Sequence, residues 1–279
     1  MLPAELLNDR LCFSIASPDV TKMPIAWTGE TESICRTLSH VGYRGVEVQV
    51  RDPAGFDTLA FTTTLAKYGI TLVSLSTGPA AHDSLVIASN DPSIRQATLD
   101  RLKTIADFAA DQGASVAIGS IRGSSHTAGS IERAKELLHD SLVILGAHVA
   151  GSGIRWLIEP QSRSITDLLT TVEDTLHLID DIPVDQVGIE FDTFHALNEE
   201  DNILNALTTA QNSGRLQHVQ VADSNRKVPG DGQLNWRELL THLADIGYEG
   251  WLSVEVSHDE PSSTIAKRAR SQLIQAVDR

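Results

Sequence analysis

Cysteine is nearly absent: Cys12 and Cys35 are the only two in 279 residues. Two thiols build no disulfide framework and are too few for a thiolate zinc cluster. Basic residues are also scarce, with 22 Lys+Arg against 37 Asp+Glu and a formal net charge of −15. That surplus repels phosphate polymers and anionic lipid, so neither a nucleic-acid partner nor a membrane surface is expected. No long apolar run exists. The longest, LVILGAHVAG (142–151), is too short to span a bilayer and holds a histidine. MLPAELLNDRLCF lacks the basic and apolar regions of a signal peptide, so a cytoplasmic protein is expected.

What is present is a regular alternation. Short β-branched runs stand at 11–16, 45–50, 70–77, 115–121, 154–160, 186–193, 216–223 and 250–256. Their starts lie 25 to 45 residues apart, the size of one βα unit. Between them, apolar residues recur at helical spacing, as in Ile94, Leu99, Leu102, Ile105, Ala106 and Ala109. Gly42, Gly69, Gly113 and Gly247 stand where C-caps are needed, and Asn235 with Glu238 reads as a capped helix start. No linker divides the chain, and residues 1–279 read as one domain. Eight strands, each followed by a helix, predict a closed (β/α)8 TIM barrel, an α/β fold of roughly 250 residues. A doubly wound open sheet is the competitor, but the loop after the first strand, SPDVTKMPIAWTGE, has no GxGxxG.

In such barrels the working groups sit at the C-terminal ends of strands. Reading only those positions gives Glu159 in LIEP, Asp192 in EFDTFH with His195 three residues on, Gln220 and Asp223 in HVQVAD, and Glu255 in SVEV. Three carboxylates converging on one rim repel one another, and a divalent cation offsets that charge. An oxygen-rich set favours Mg²⁺ or Mn²⁺. The alternative is that each carboxylate pairs with a nearby arginine or caps a helix.

The motifs GYRGVEVQVRDP (42–53), STG (76–78), IGSIRG (118–123), IEPQSR (158–163), FDTFHALNEE (191–200), VADSNRKVPGDG (221–232) and IGYEGWLSVE (246–255) together resemble one family. It is the xylose isomerase-like sugar isomerases and epimerases, in particular the ketose 3-epimerases, with the 5-keto-L-gluconate epimerase branch nearest. The resemblance implies a metal-dependent enzyme in which Glu159, Asp192 and Glu255 match three of four metal ligands. Glu159 and Glu255 also match the paired acid/base carboxylates, and His195 and Arg226 match residues that hold substrate oxygens. It implies that a cation (Mn²⁺ or Mg²⁺ favoured, Co²⁺ possible) acidifies the C–H beside a carbonyl and stabilises the enediolate. One glutamate then removes the proton and the other returns it on the opposite face.

Two positions depart from the family. Its fourth ligand is a histidine, and the matching residue is Gln220, a neutral amide that binds more weakly and shifts preference toward harder cations. His218 lies two residues earlier, about 7 Å deeper on the same face, and reads as a packed barrel residue. Ile165 stands where the family carries a substrate-contacting glutamate.

Arg122 and Arg226 are expected to overlook the mouth, and guanidinium forks suit a carboxylate. The expected substrate is therefore a keto sugar or keto-sugar acid. The alternatives are a lyase or dehydratase sharing the first step, and a sugar-binding barrel without turnover, which Gln220 and Ile165 motivate. An abasic-site endonuclease fits poorly with the acidic charge. Arg51 and Asp52 read as a local pair, His126 as solvated, Trp27 as pocket wall or surface packing, and NEEDN as a solvated acidic face. A homodimer or homotetramer is expected.

Overall fold

The computed structural model describes residues 3–278. All eight sequence-predicted strands form: β1 (Leu11–Ala16), β2 (Gly45–Gln49), β3 (Thr71–Ser76), β4 (Ser115–Ile118), β5 (Trp156–Ile158), β6 (Val187–Asp192), β7 (Leu216–Val221) and β8 (Trp251–Val254). Each pairs in parallel with the next, and β1 closes the barrel on β8 through Leu11–Leu252, Cys12–Ser253 and Phe13–Val254. A helix follows each strand, from Thr31–Val41 after β1 to Ser262–Asp278 after β8. Gly42, Gly69, Gly113 and Gly247 all take positive φ, the conformation that lets a helix end and turn back into a strand. Asn235 caps Trp236–Asp245 by accepting from the Glu238 amide, as its spacing predicts.

The fourth and fifth strands are shorter than their apolar runs. After Ile118 the chain leaves the ladder for a 3₁₀ turn at Ser120–Arg122, and after Ile158 it turns outward through Pro160. Among the described residues no helix is long and apolar enough to cross a membrane.

Strand alternation sorts the barrel into two faces. Phe13, Val46, Val48, Leu75, Ile189, Phe191, Val219 and Val254 are buried between barrel and helices. Each such side chain contributes about 1.5–3 kcal/mol when fully buried. The alternate positions are as thoroughly buried but polar: Ser14, Glu47, Gln49, Ser74, Ser76, Glu190, Asp192, His218, Gln220, Ser253 and Glu255. They fill the barrel's interior, where the usual occupants are branched aliphatic side chains. So polar an interior is costly unless its groups satisfy one another, and it marks the strands that carry the site.

Candidate active site

Glu159, Asp192, Gln220 and Glu255 reach the C-terminal mouth from β5, β6, β7 and β8, and all are buried. Glu159, His195, Gln220, Arg226 and Glu255 line one cavity there of about 160 Å³. Asp192 lies against it through Arg226 and is also within reach of His195.

Each carboxylate is held by a different neighbour. Glu159 Oε2 accepts from Gln161 Nε2 at 2.6 Å. A Cβ on Gly119, just after β4, would stand 2.8 Å from that same oxygen, so a larger residue there would displace the Glu159 carboxylate. Asp192 accepts from the Phe194 amide at 2.8 Å, capping the short helix Thr193–Glu199 that presents His195. Glu255 Oε1 accepts from Gln49 Nε2 at 2.8 Å.

Burial and mutual repulsion push these acids up. Glu159 is raised to about 7, chiefly by desolvation and then by the charge of Asp192, against the pull of Arg226 and Arg122. Desolvation raises Asp192 to about 6, with Arg226 opposing. Burial also raises Glu255, again against Arg226.

Arg226 is the cation that answers this charge. Its Nη2 lies 3.1 Å from Asp192 Oδ2 and also hydrogen-bonds Glu255 Oε2. The guanidinium stacks over Phe194 at 5.0 Å. Asn225 and Arg226 both have left-handed backbone, φ 65° and 54°, a conformation that costs about 1–3 kcal/mol per non-glycine residue. Asp223 holds the turn in place, accepting from the Ser224, Gly230 and Leu234 amides and from Trp236 Nε1.

The chemistry of His195 follows from its partners. The Ser162 amide donates to Nδ1 at 3.2 Å, and Arg226 Nη1 lies 3.3 Å from Nε2, so donors approach both ring nitrogens. Desolvation, followed by the charges of Arg226 and Arg122, lowers its pKa to about 3, leaving the ring neutral. Nε2 also faces Glu159 Oε1 at 3.5 Å and Asp192 Oδ2 at 3.7 Å. His195 sits within ligand distance of both acids, so the three side chains form a cluster that could hold a cation.

Arg122 is not brought to the pocket. It is fully buried, and its guanidinium donates to the backbone carbonyls of Gly119, Glu159 and Leu169. The 3₁₀ turn folds it beneath the loop after β5 instead of over the mouth. Desolvation lowers its pKa to about 10, so it remains a cation at neutral pH. Its task is to fix the carbonyl frame that carries Glu159. Arg122→Lys is therefore expected to cost about 3 kcal/mol in urea unfolding, because lysine lacks the fork. Activity should fall equally on neutral and acidic keto sugars. A loss confined to acidic substrates would return Arg122 to substrate binding.

Other expectations change in detail. Arg51 pairs with Asp83, and Asp52 with Arg101, because the loops after β2 and β3 lie side by side. Trp27 packs edge-on against Phe13 at 6.3 Å and does not line the cavity. His126 is exposed, as expected. The NEEDN acids are not a free face. Glu199 accepts from the Arg163 amide and Glu200 from the Val172 amide, pinning both ends of the loop after β5. Ile165, on that loop, lines the mouth and is 53% exposed.

The strand-end reading passed over Gln49, the last residue of β2, and does not reach Glu47 and Glu190, each two residues deeper; all three lie at or just beneath the cavity floor. Gln49 and Glu190 line the cavity, and Glu47 links Ser76, His218 and Gln220 below it. Burial is the largest influence on Glu47, pushing it up, but the hydrogen bond and charge of His218 lead the interactions that leave it lowered overall. The signal was in GVEVQV, two polar residues at period two inside a strand that a barrel buries on both faces.

Comparison with known proteins agrees with this architecture. A family model described as a xylose isomerase-like TIM barrel matches residues 35–276. A ketose 3-epimerase of Arthrobacter globiformis is 25% identical over 234 residues, covering 81% of this chain and 79% of that protein. A hydroxypyruvate isomerase of Escherichia coli is 26% identical over 232 residues, covering 81% and 88%. A D-psicose 3-epimerase structure with D-tagatose, from Clostridium cellulolyticum H10, superposes with a TM-score of 0.80 at 19% identity, covering 96% of this chain and 98% of that one. The chain belongs to the xylose isomerase-like TIM barrel family.

Proposed function

We propose that this protein is an epimerase or isomerase of a neutral keto sugar, working by proton transfer beside the carbonyl with a divalent cation. The observation that carries the reading is the pair Glu159 and Glu255, two buried carboxylates that enter one cavity from strands three places apart around the barrel. Sugar epimerases and isomerases among the relatives support it.

The residues fit a hard cation. Glu159, Asp192 and Glu255 supply carboxylate oxygens, and Gln220 Oε1 is buried with no protein partner. Acids pushed up by burial and mutual repulsion gain from a positive charge among them. Glu159, Asp192, Gln220 and Glu255 would hold the ion, with Mn²⁺ or Mg²⁺ favoured by the all-oxygen donors and Co²⁺ also compatible. When bound, it supplies Lewis acidity that makes the C–H next to a carbonyl removable.

The rest is done by the chain. One glutamate takes the proton from its own face of the sugar, and the other delivers a proton to the opposite face. His195 orients the substrate oxygen on which negative charge develops, and Arg226, 3.3 Å from His195 Nε2, adds a fixed positive charge beside it. Arg122 is tied to backbone carbonyls and Arg226, the arginine that lines the cavity among the described residues, is engaged by Asp192 and Glu255 rather than held open for a substrate carboxylate. A neutral sugar is favoured over a sugar acid for that reason.

The test is proton NMR of ketohexoses and ketopentoses incubated with the enzyme and Mn²⁺ in D₂O, read after the metal is removed. Deuterium beside the carbonyl together with a second epimer or isomer is the expected result. No exchange across the panel would overturn the proposal, and exchange followed by loss of water would point to a lyase.

A further inference from the structure

Gln220 is a ligand with two faces of nearly equal size. Turned one way, its carboxamide offers an oxygen to the cavity; turned the other, an N–H₂ that repels a cation. Nothing in the residue itself decides between them. The deciding group lies on the far side of the barrel, 173 positions away in sequence.

Glu47 is wholly buried on β2 and surrounded by donors. Its Oε1 accepts from Ser76 Oγ at 2.7 Å and from Gln220 Nε2 at 2.8 Å. Its Oε2 lies 2.9 Å from His218 Nε2. A carboxylate is acceptor-only, so whichever end of the Gln220 amide meets Glu47 must be the N–H₂. The reverse orientation would press two acceptor oxygens together away from water, where such a contact is least screened. Gln220 Oε1 is thereby left buried, unpartnered and facing away from its only polar anchor.

We infer that Glu47 is a positioning residue: it selects the amide orientation in which Gln220 presents oxygen rather than N–H₂ to the site. The inference builds on the reading of Gln220 as a cation ligand, but the orientation itself can be observed without metal. It also gives the departure at Gln220 a physical basis. A neutral amide serves as a hard-oxygen ligand only if something removes its freedom to flip, and the buried acid of β2 does so. Groups of this kind, behind a ligand, typically change metal affinity on the order of 10- to 100-fold when removed.

The experiment compares wild type, Glu47→Gln, Gln220→Glu, and the exchanged pair Glu47→Gln with Gln220→Glu. The exchanged pair keeps net charge and volume and regenerates the bond with its direction reversed: the amide at position 47 donates to the carboxylate at 220, whose second oxygen is free. In metal-free ¹⁵N-labelled protein, the Gln220 side-chain N–H₂ should show a hydrogen-bonded, slowly exchanging proton that Glu47→Gln shifts and speeds. By calorimetry, Mn²⁺ affinity should fall about 10- to 100-fold in Glu47→Gln and return in the exchanged pair. A carboxylate at 220 is by itself a stronger ligand, so Gln220→Glu is the control: a merely structural role for Glu47 predicts that the exchanged pair binds more weakly than Gln220→Glu by the same factor that separates Glu47→Gln from wild type. Unchanged side-chain resonances in Glu47→Gln, or an exchanged pair that falls below Gln220→Glu by that same factor, would overturn the inference. Wild-type protein that binds no Mn²⁺ would overturn the metal reading instead, and the side-chain resonances then decide the role of Glu47 alone.

Discussion

Glu159→Gln and Glu255→Gln are each expected to abolish interconversion of the two epimers while leaving half of the isotope exchange intact. The loss of inversion should be about 10²- to 10⁴-fold, the usual worth of a positioned acid or base. Both glutamates are also candidate cation ligands, so a drop in rate alone would not separate loss of a base from loss of the metal. Exchange does separate them. In a two-base site, the epimer whose C–H faces the surviving carboxylate still gives up its proton and takes a deuteron back on the same face. The other epimer presents its C–H to an amide and stays protonated. The two variants should therefore be mirror images: Glu159→Gln exchanges one epimer in D₂O, and Glu255→Gln exchanges the other. The amide oxygen left by either substitution can remain near the cation, which keeps the surviving half-reaction alive. Symmetric loss of both exchanges would mean that the pair acts as metal ligands only. Exchange of both epimers in both variants would place the base elsewhere, and Asp192 would be the next residue to replace.

The barrel was legible because its signals are local. Apolar runs of period two, helical stripes and capping glycines each depend on a few neighbouring residues, and the eight predicted strands all form. The strand-end acids were legible for a related reason: once closure is assumed, the last residue of a strand has only one place to go. Direction was harder. Arg122 follows β4 as predicted, but a 3₁₀ turn decides whether its side chain rises over the mouth or dives beneath the loop, and the sequence SIRG admits both. Glu47 and Gln49 were overlooked because VEVQV has the alternation of a half-exposed strand. Only closure of the barrel puts the polar face inside. The orientation of the Gln220 amide was illegible for a stronger reason, since it depends on a partner in another strand. Glu199 and Glu200 look like a solvated run until the loop after β5 is seen to supply N–H donors to them.

Arg226→Met should destabilise the metal-free protein by about 3–5 kcal/mol near pH 8, the usual cost of stripping the partner from buried charge. Methionine keeps the aliphatic length of the side chain and removes the guanidinium, its stacking on Phe194 included. Three acids lose their compensating cation at once: Asp192 and Glu255, which it touches, and Glu159, whose ionisation it favours at longer range. The cost should depend on pH in a definite direction. Folding already raises Asp192 to about 6 and Glu159 to about 7, so the native state holds protons that the unfolded chain has released. Stability therefore falls as pH rises from the unfolded carboxyl values through the folded ones, roughly pH 4 to 7. Removing Arg226 raises the folded values further and steepens that fall. The gap between variant and wild type should be small at pH 5, where the acids can be neutral, and full at pH 8. Urea unfolding at the two pH values in EDTA measures it. Added Mn²⁺ should close much of the gap at pH 8, because a divalent ion among the same oxygens replaces the missing charge and stabilises only the folded chain. An equal gap at both pH values, insensitive to Mn²⁺, would mean that Arg226 supports the left-handed turn by packing alone. The three strand-end acids would then need another source of compensation.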